Sequence, residues 1–376
     1  TSVAKGPHVP GNVHAAMPER FGEPGEVRDE FSAHPRRALV VTTVVHETHA
    51  VQSHLTNSQW LVGKNGANYE YGRFVDSAGD WLVVHAMTAQ GNTAASLAVS
   101  KAHQEFGTFN VVMFVGVAGS LKADIPIGSV VIGDYVHNGH SAKVEDDEIL
   151  SRPVGLPASK LLLDASAALV ANDAWHAFVR APRGVELPAI DAYPCPFPPL
   201  AVIKGIVSGE EVVAGGKSPR YAHLRRSFNH CGAVEMEGWG AMKAAYEENT
   251  PAIIVRGISD MCAGKDHALD LLNQPIAAAH AAAFAFAVLS FRSRVPTTRE
   301  NAPIEVSSAK ALSNAGGAQA LAERRIEFVF SFDGSPTDWD ERKISEVVQR
   351  LREALDDHEL VVVRIEQGSV RLVVNA

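Results

Sequence analysis

Cysteine is scarce in this 376-residue chain: Cys195, Cys231 and Cys262 are far apart and odd in number, a pattern that suggests neither a disulfide framework nor a zinc knuckle. Surplus positive charge is also missing. Against 43 Asp and Glu stand 34 Lys and Arg, a net charge of -9, which excludes a general nucleic-acid or anionic-membrane binder while leaving room for basic groups to converge on one phosphate. No unbroken apolar run reaches membrane-spanning length. The longest, PIAAAHAAAFAFAVLSF, is interrupted by His280 and reads as a buried helix. The scattered, odd-numbered cysteines make a reducing, cytoplasmic setting the expectation, and no targeting is read from the stretch after Thr1, which shows no charged-then-apolar pattern. What remains is a chain with 46% hydrophobic and 20% charged residues, enough for a substantial core and roughly two domains by length.

Residues 1–36 mix Pro, Gly and charges without a period, and read as a flexible N-terminal arm. The texture then changes. RALVVTTVV reads as a strand with a helix opening at VQSHL; WLVVHAM reads as a strand, and GNTAASLAVSKAHQEF as a helix opened by a Gly-Asn turn. NVVMFVGVAGSL, IPIGSVVIGDYV, LAVIKGIVSG and PAIIVRGISD add short β-branched apolar runs, as strands covered on both faces should be. The expectation for residues 37–291 is an α/β domain: three layers, with a mixed, mostly parallel sheet flanked by helices. Residues 292–321 are linker-like. Residues 322–376 read as a small βαββ module: the strand RIEFVFSF, a helix with Trp339, Ile344, Val347, Val348, Leu351 and Leu355 on one face, and a hairpin around Gly368. A module of that size has no room for a deep pocket, so contact with a protein partner or self-association is its expected role.

Of three motifs that resemble known sites, two fail on spacing and the third is as compatible with a plain tight turn. In VHETHA, His46 and His49 stand at i and i+3, whereas a metal-binding H-E-x-x-H needs i and i+4, where Ala50 stands. No metal is therefore expected. AGGKSP ends like a phosphate loop, but Glu211 occupies the position of its first glycine. GVAGSL after a strand reads as a glycine-rich turn that lets a ligand approach backbone.

AVEMEGWGAMKAAY raises a sharper question, because it sets Glu235 and Glu237 into an otherwise apolar stretch. Charges entering a packed interior are costly unless paired or used. Taken in order, VGVAGSL, IGSVVIGD, VSGEEVV, AVEMEGWGAMKAA and IIVRGISD resemble the nucleoside phosphorylase and nucleosidase superfamily. They are most similar to the methylthioadenosine/S-adenosylhomocysteine nucleosidases and to the related nucleosidase domains of bacterial immune effectors. The combination of V-E-M-E with R-x-I-S-D is far more specific than either half.

The resemblance implies roles for particular residues. Glu237 would accept hydrogen bonds from the ribose hydroxyls, which suits a carboxylate because charge-assisted bonds are the stronger kind. Met236 would pack on the sugar and Glu235 would support the site. Asp260 would give a proton or a strong hydrogen bond to purine N7, oriented by Ser259, and Glu47 would activate water against the anomeric carbon. Val117, Ala118 and Gly119 would line the base, with Val212 and Val213 opposite. Each acid also has a plainer reading, as a helix cap, a turn cap or a surface group. Phe114 stands where the phosphorylases place a phosphate-holding arginine, which favours water as the nucleophile. Lys217 and Arg220, with Arg225 and Arg226 beyond them, are candidates for a 5′ phosphate chain or else a solvated basic helix.

The function the resemblance implies is purine N-ribohydrolysis that releases adenine without a cofactor, from a nucleotide such as ATP and in the role of an antiphage effector, by an enzyme that is at least a dimer. The alternatives are a methylthioadenosine/S-adenosylhomocysteine nucleosidase, a purine nucleoside phosphorylase, and a catalytically silent nucleotide sensor.

Overall fold

A computed structural model describes residues 24–144, 146, 149–187, 193, 195–213, 215–262, 267–294, 325–331, 361–366 and 369–375. The chain divides into two compact units, Thr1–Pro303 and Ile304–Ala376.

The first unit opens with α1 (Pro24–Ala33), β1 (Arg37–Thr42), α2 (Val45–Gln52), β2 (Thr56–Val62), β3 (Asn68–Asp76), β4 (Gly79–Met87), α3 (Asn92–Phe106) and β5 (Val111–Ser120). It continues with β6 (Val130–Gly133), β7 (Tyr135–Asn138), β8 (Ala142–Val144), β9 (Ile149–Ser151), β10 (Gly155–Pro157), α4 (Lys160–Asn172) and a 3-10 turn at Ala174–Phe178. β11 (Ala201–Ile203), β12 (Ile206–Ser208), α5 (Pro219–Ser227), β13 (Ala233–Glu235), α6 (Gly238–Glu247), β14 (Ala252–Asp260) and α7 (His267–Ser293) complete it. Twelve strands form one mixed sheet, in the order β10-β7-β12-β13-β5-β1-β4-β3-β2, with β14, β6 and β11 branching from β5. The centre is parallel: β4, β1, β5 and β14 all run the same way. Helices α2, α4 and α7 pack together on one side, and α1, α3 and α6 are linked through α3 on the other. This is the three-layer arrangement expected.

The most buried element after the central strands is α7. From Ile276 to Leu289 every residue is at most 1% exposed, as befits a helix that is apolar all round. A side chain at Gly257 of β14 would collide with the backbone of Ala277, so the helix lies directly on the sheet. α7 is the one described helix long and apolar enough to cross a membrane, but 89% of its apolar window is buried within the fold.

Several boundaries depart from the sequence reading. The helix after β1 begins at Val45, not near Val51, so Glu47 lies in its first turn. GVAGS continues β5 rather than making a turn. β2 and β3 were not anticipated, and α7 starts eight residues before Pro275, which lies inside it. Residues 24–33, assigned by composition to a flexible arm, form α1, whose Phe31 is fully buried against Phe106 and Phe109. Val27 of the same helix is buried in the core as well, so two apolar anchors one turn apart dock an otherwise polar helix.

In the second unit, β15 (Arg325–Ser331), β16 (Val361–Glu366) and β17 (Ser369–Asn375) form an antiparallel sheet in the order β15-β17-β16. The expected helix between β15 and β16 and the turn at Gly368 lie outside the described residues, as do residues 295–324.

Candidate active site

The site forms where β5 changes neighbours. One edge of this strand pairs with β1 as far as Phe114, then takes up β13 in the opposite direction at Gly119. Between those points the edge is open, in the kind of crevice where α/β sheets collect ligands. A cavity of about 130 Å³ lies there. Its wall includes Glu47, Val117, Ala118, Gly119, Val212, Val213, Glu235, Met236, Glu237, Ser259 and Asp260. Residues from distant parts of the chain therefore meet around one space.

Glu47 reaches it from the first turn of α2 and is 3% exposed. Its carboxylate accepts from the backbone N–H groups of Thr43 (2.7 Å) and Val44 (3.0 Å) at the helix start, and of Val117 (2.8 Å) on the open edge of β5. The glutamate thus fills the hydrogen-bonding position that a neighbouring strand would have taken. Gly116 makes this possible, since a Cβ there would overlap both Glu47 and Arg256.

Glu235 ends β13 and accepts from the N–H of Glu237 (3.0 Å) and of Gly238 (2.8 Å), a local cap for the start of α6. It also binds Arg256, which lies in the middle of β14 and is fully buried. That guanidinium lies 3.9 Å from Glu47 and 3.7 Å from Glu237. It also lies over the Phe114 ring, 4.3 Å from its centroid. One cation therefore faces three carboxylates. Glu237 carries the imbalance: burial, then the charge of Glu235, push its carboxyl up to about 7, against the pull of Arg256 and of the Gly91 N–H, which donates to it at 3.0 Å.

Asp260 closes β14. It accepts from the N–H of Cys262 (2.9 Å) and from the Ser259 hydroxyl (3.1 Å), and that hydroxyl also reaches the Ala118 carbonyl at 3.4 Å. Cys262 takes a left-handed conformation, φ 60°, which turns its N–H back onto Asp260.

Two expected residues do not line the cavity. Lys217 is exposed. Arg220 donates to Glu211 (3.2 Å) and to the Gly139 carbonyl (3.2 Å), so its guanidinium braces an acidic residue of the wall. Among the described residues, the wall holds five carboxylates, those of Glu47, Glu211, Glu235, Glu237 and Asp260, and neither Lys nor Arg. The sequence reading gave no role to Arg256, nor to Asn92, whose side chain ties together Ser208, Gly209 and Gly240. An arginine inside an otherwise apolar strand was the signal for the first.

Residues 36–290 match the phosphorylase superfamily. The 5′-methylthioadenosine/S-adenosylhomocysteine nucleosidase of Staphylococcus aureus is 25% identical over 190 residues, covering 50% of this chain and 72% of that protein. Among solved structures, the nucleosidase of the same name from Neisseria meningitidis, in complex with methylthio-immucillin-A, aligns with a TM-score of 0.53 at 20% identity, over 68% of this chain and 99% of that one. The futalosine hydrolase of Helicobacter pylori aligns with a TM-score of 0.54 at 17% identity, over 68% and 97%. The chain belongs to the phosphorylase superfamily.

Proposed function

We propose that this protein is a purine nucleoside N-ribohydrolase that releases adenine. The convergence of Glu47, Glu237 and Asp260 on one cavity carries the reading. It is supported by the likeness to two 5′-methylthioadenosine/S-adenosylhomocysteine nucleosidases and a futalosine hydrolase. The base lies against Val117, Ala118 and Gly119, with Val212 and Val213 opposite. Asp260, oriented by Ser259 and the Cys262 N–H, gives a proton to N7 as the glycosidic bond breaks. Glu237 accepts from the ribose hydroxyls while Met236 packs on the sugar. Glu47, fixed by three N–H groups, takes a proton from the water that adds to the anomeric carbon, on the far side of an oxocarbenium-like transition state. Water rather than phosphate is the nucleophile, because the three carboxylates around Arg256 would repel an anion and Phe114 is buried beneath it.

The acidic wall also favours substrates with an uncharged 5′ group. Hydrolysis of a nucleotide such as ATP, the expectation drawn from the resemblance to immune-effector nucleosidases and from basic residues that include Lys217 and Arg220, has less support, because neither of those two side chains lines the cavity. A panel of methylthioadenosine, adenosine, inosine, AMP and ATP, with and without phosphate, read by chromatography of the free base, separates these outcomes. Adenine release from the neutral nucleosides alone is expected. Release that requires phosphate would establish a phosphorylase, and binding with no free base from any substrate would make the protein a sensor. Self-association, and a partner role for residues 322–376, belong to the same proposal and are read by light scattering of the full chain and of a chain ending at residue 291.

A further inference from the structure

A second cluster of chemically active side chains lies at the opposite end of β13 from Glu235. His137 on β7 and His230 and Cys231 just before β13 bring three ligand atoms within 4.8 Å of one another. The two histidines face each other Nε2 to Nε2 at 3.1 Å, with their rings at 88°. In a tetrahedral zinc site, metal-ligand lengths of about 2.0 Å to nitrogen and 2.3 Å to sulfur place two nitrogens about 3.3 Å apart and nitrogen and sulfur about 3.6 Å apart. The nitrogen pair already has nearly that spacing. The sulfur needs to close by no more than about an ångström.

Gly205 supplies the space at the centre. A Cβ on this residue would stand 2.9 Å from Cys231 Sγ, 3.5 Å from the His230 ring and 3.6 Å from His137 Nε2. The three groups thus gather around the place that a side chain at this position would take. His137 Nδ1 is buried without a hydrogen-bond partner among the described residues, and the Nε2–Nε2 contact with His230 is a hydrogen bond whose shared proton a metal would replace. Cys231 is fully buried whereas His230 is exposed, which gives an ion an approach from solvent.

We propose that His137, His230 and Cys231 bind one borderline-soft divalent transition metal of the zinc class, with the fourth position open to water. Two imidazoles and a thiolate suit zinc or cobalt and discriminate against calcium and magnesium, which prefer oxygen ligands. On binding, the Cys231 thiol releases its proton to solvent and both histidines ligate as neutral rings. The metal joins β7 to the segment that leads into β13. It has no part in the reaction proposed above and stands or falls independently of it. It also runs against the sequence reading, which expected no metal: the histidines are 93 residues apart in sequence, so no local spacing motif announces them.

The test is a titration of the reduced, metal-free full chain with Co²⁺, followed by displacement with Zn²⁺. The expected result is a thiolate-to-cobalt charge-transfer band that saturates at one equivalent, with release of about one proton per metal. Cys195→Ser and Cys262→Ser should keep the band, and Cys231→Ser should lose it. His230→Gln alters an exposed residue and should weaken binding by about tenfold or more, with the circular dichroism spectrum unchanged. Gly205→Ala, which keeps all three ligand residues but sets a methyl 2.9 Å from Cys231 Sγ, should do the same. Absence of the band in the parent protein would overturn the proposal. So would a band that survives Cys231→Ser, or an affinity unaltered in folded His230→Gln and Gly205→Ala.

Discussion

Two buried ionic networks lie next to each other in this fold, and they are built on opposite principles. Around β1, β3 and β4, Glu70 and His85 are each 1% exposed and pair at 3.3 Å. The other ring nitrogen of His85 meets Thr42 at 2.9 Å, Thr42 meets Thr48 at 2.9 Å, and Gln52 donates to Glu70 at 2.8 Å. Burial pushes the Glu70 carboxyl upward, but bonding to His85 and the His85 charge, with Gln52 and Ser58, hold it below the usual range. That network is closed. Around Arg256, one cation meets three carboxylates, and its Nε and Nη1 have no hydrogen-bond partner among the described residues. The Glu237 carboxyl there is pushed up, not down. The second network opens on a cavity and is left unbalanced, and that imbalance is what a substrate can use.

The comparison is tested most severely at the cavity. Asp260→Asn and Glu47→Gln should each lower adenine release by about 10²- to 10⁴-fold, the range for losing a positioned proton-transfer group, with thermal unfolding little changed. Chromatographic rate measurements on the best substrate of the panel check this, and parental turnover by either variant would refute its assigned role. Arg256→Met follows. Removing the buried cation that Glu47, Glu235 and Glu237 share leaves their charges uncompensated, a loss of roughly 3–5 kcal/mol by analogy with broken buried pairs, together with loss of activity. Denaturant unfolding of Arg256→Met alongside Arg256→Met/Glu235→Gln should show partial recovery of stability in the double variant. His85→Phe strikes the closed network instead. It should cost stability of the same order, about 3 kcal/mol, while kcat/KM of the folded fraction stays within about tenfold of the parent. An activity loss as deep as that of Asp260→Asn would make the two networks one.

These differences explain which parts could be read in advance. β4, α3, β5 and β14 follow from apolar periodicity because each is a run whose burial is local information. The start of α2 does not, since the β-branched run through Val45 conceals a helix whose first turn is set by Glu47 reaching Val117, 70 residues away. The E-M-E and I-S-D motifs pointed to the acids of the cavity, but the partner of Glu235 was hidden: Arg256 is 21 residues further along and flanked by Val255 and Gly257. Lys217 and Arg220 show the converse limit. Their charge is plain in the sequence, whereas the direction of a side chain depends on neighbours such as Glu211 and Gly139. Pairing between distant strands places the cavity, and pairing is not a local property.

The smallest expected effect tests the imbalance itself. With its carboxyl raised to about 7, Glu237 is largely protonated at pH 6 and largely ionised at pH 8. The ionised form offers charge-assisted acceptance to both ribose hydroxyls, whereas the protonated form is a weaker, uncharged acceptor that carries an O–H of its own. Affinity for a ribose-bearing ligand should therefore rise roughly tenfold between pH 6 and 8 and then level off, in proportion to the ionised fraction. Stability should move the other way. Because the folded state holds this proton more tightly than the unfolded chain, the Glu237 contribution is fully favourable below the ordinary glutamate value and is lost as pH rises from there through 7. The slope approaches about 1.4 kcal/mol per pH unit at most. Glu237→Gln should abolish both trends, weakening the ligand at pH 8 and stabilising the protein there. Calorimetric binding and denaturant unfolding across that range measure the two slopes separately. If both ran in the same direction, the excess negative charge would not reside on Glu237, and the contrast with the closed Glu70–His85 network would fail at its central residue.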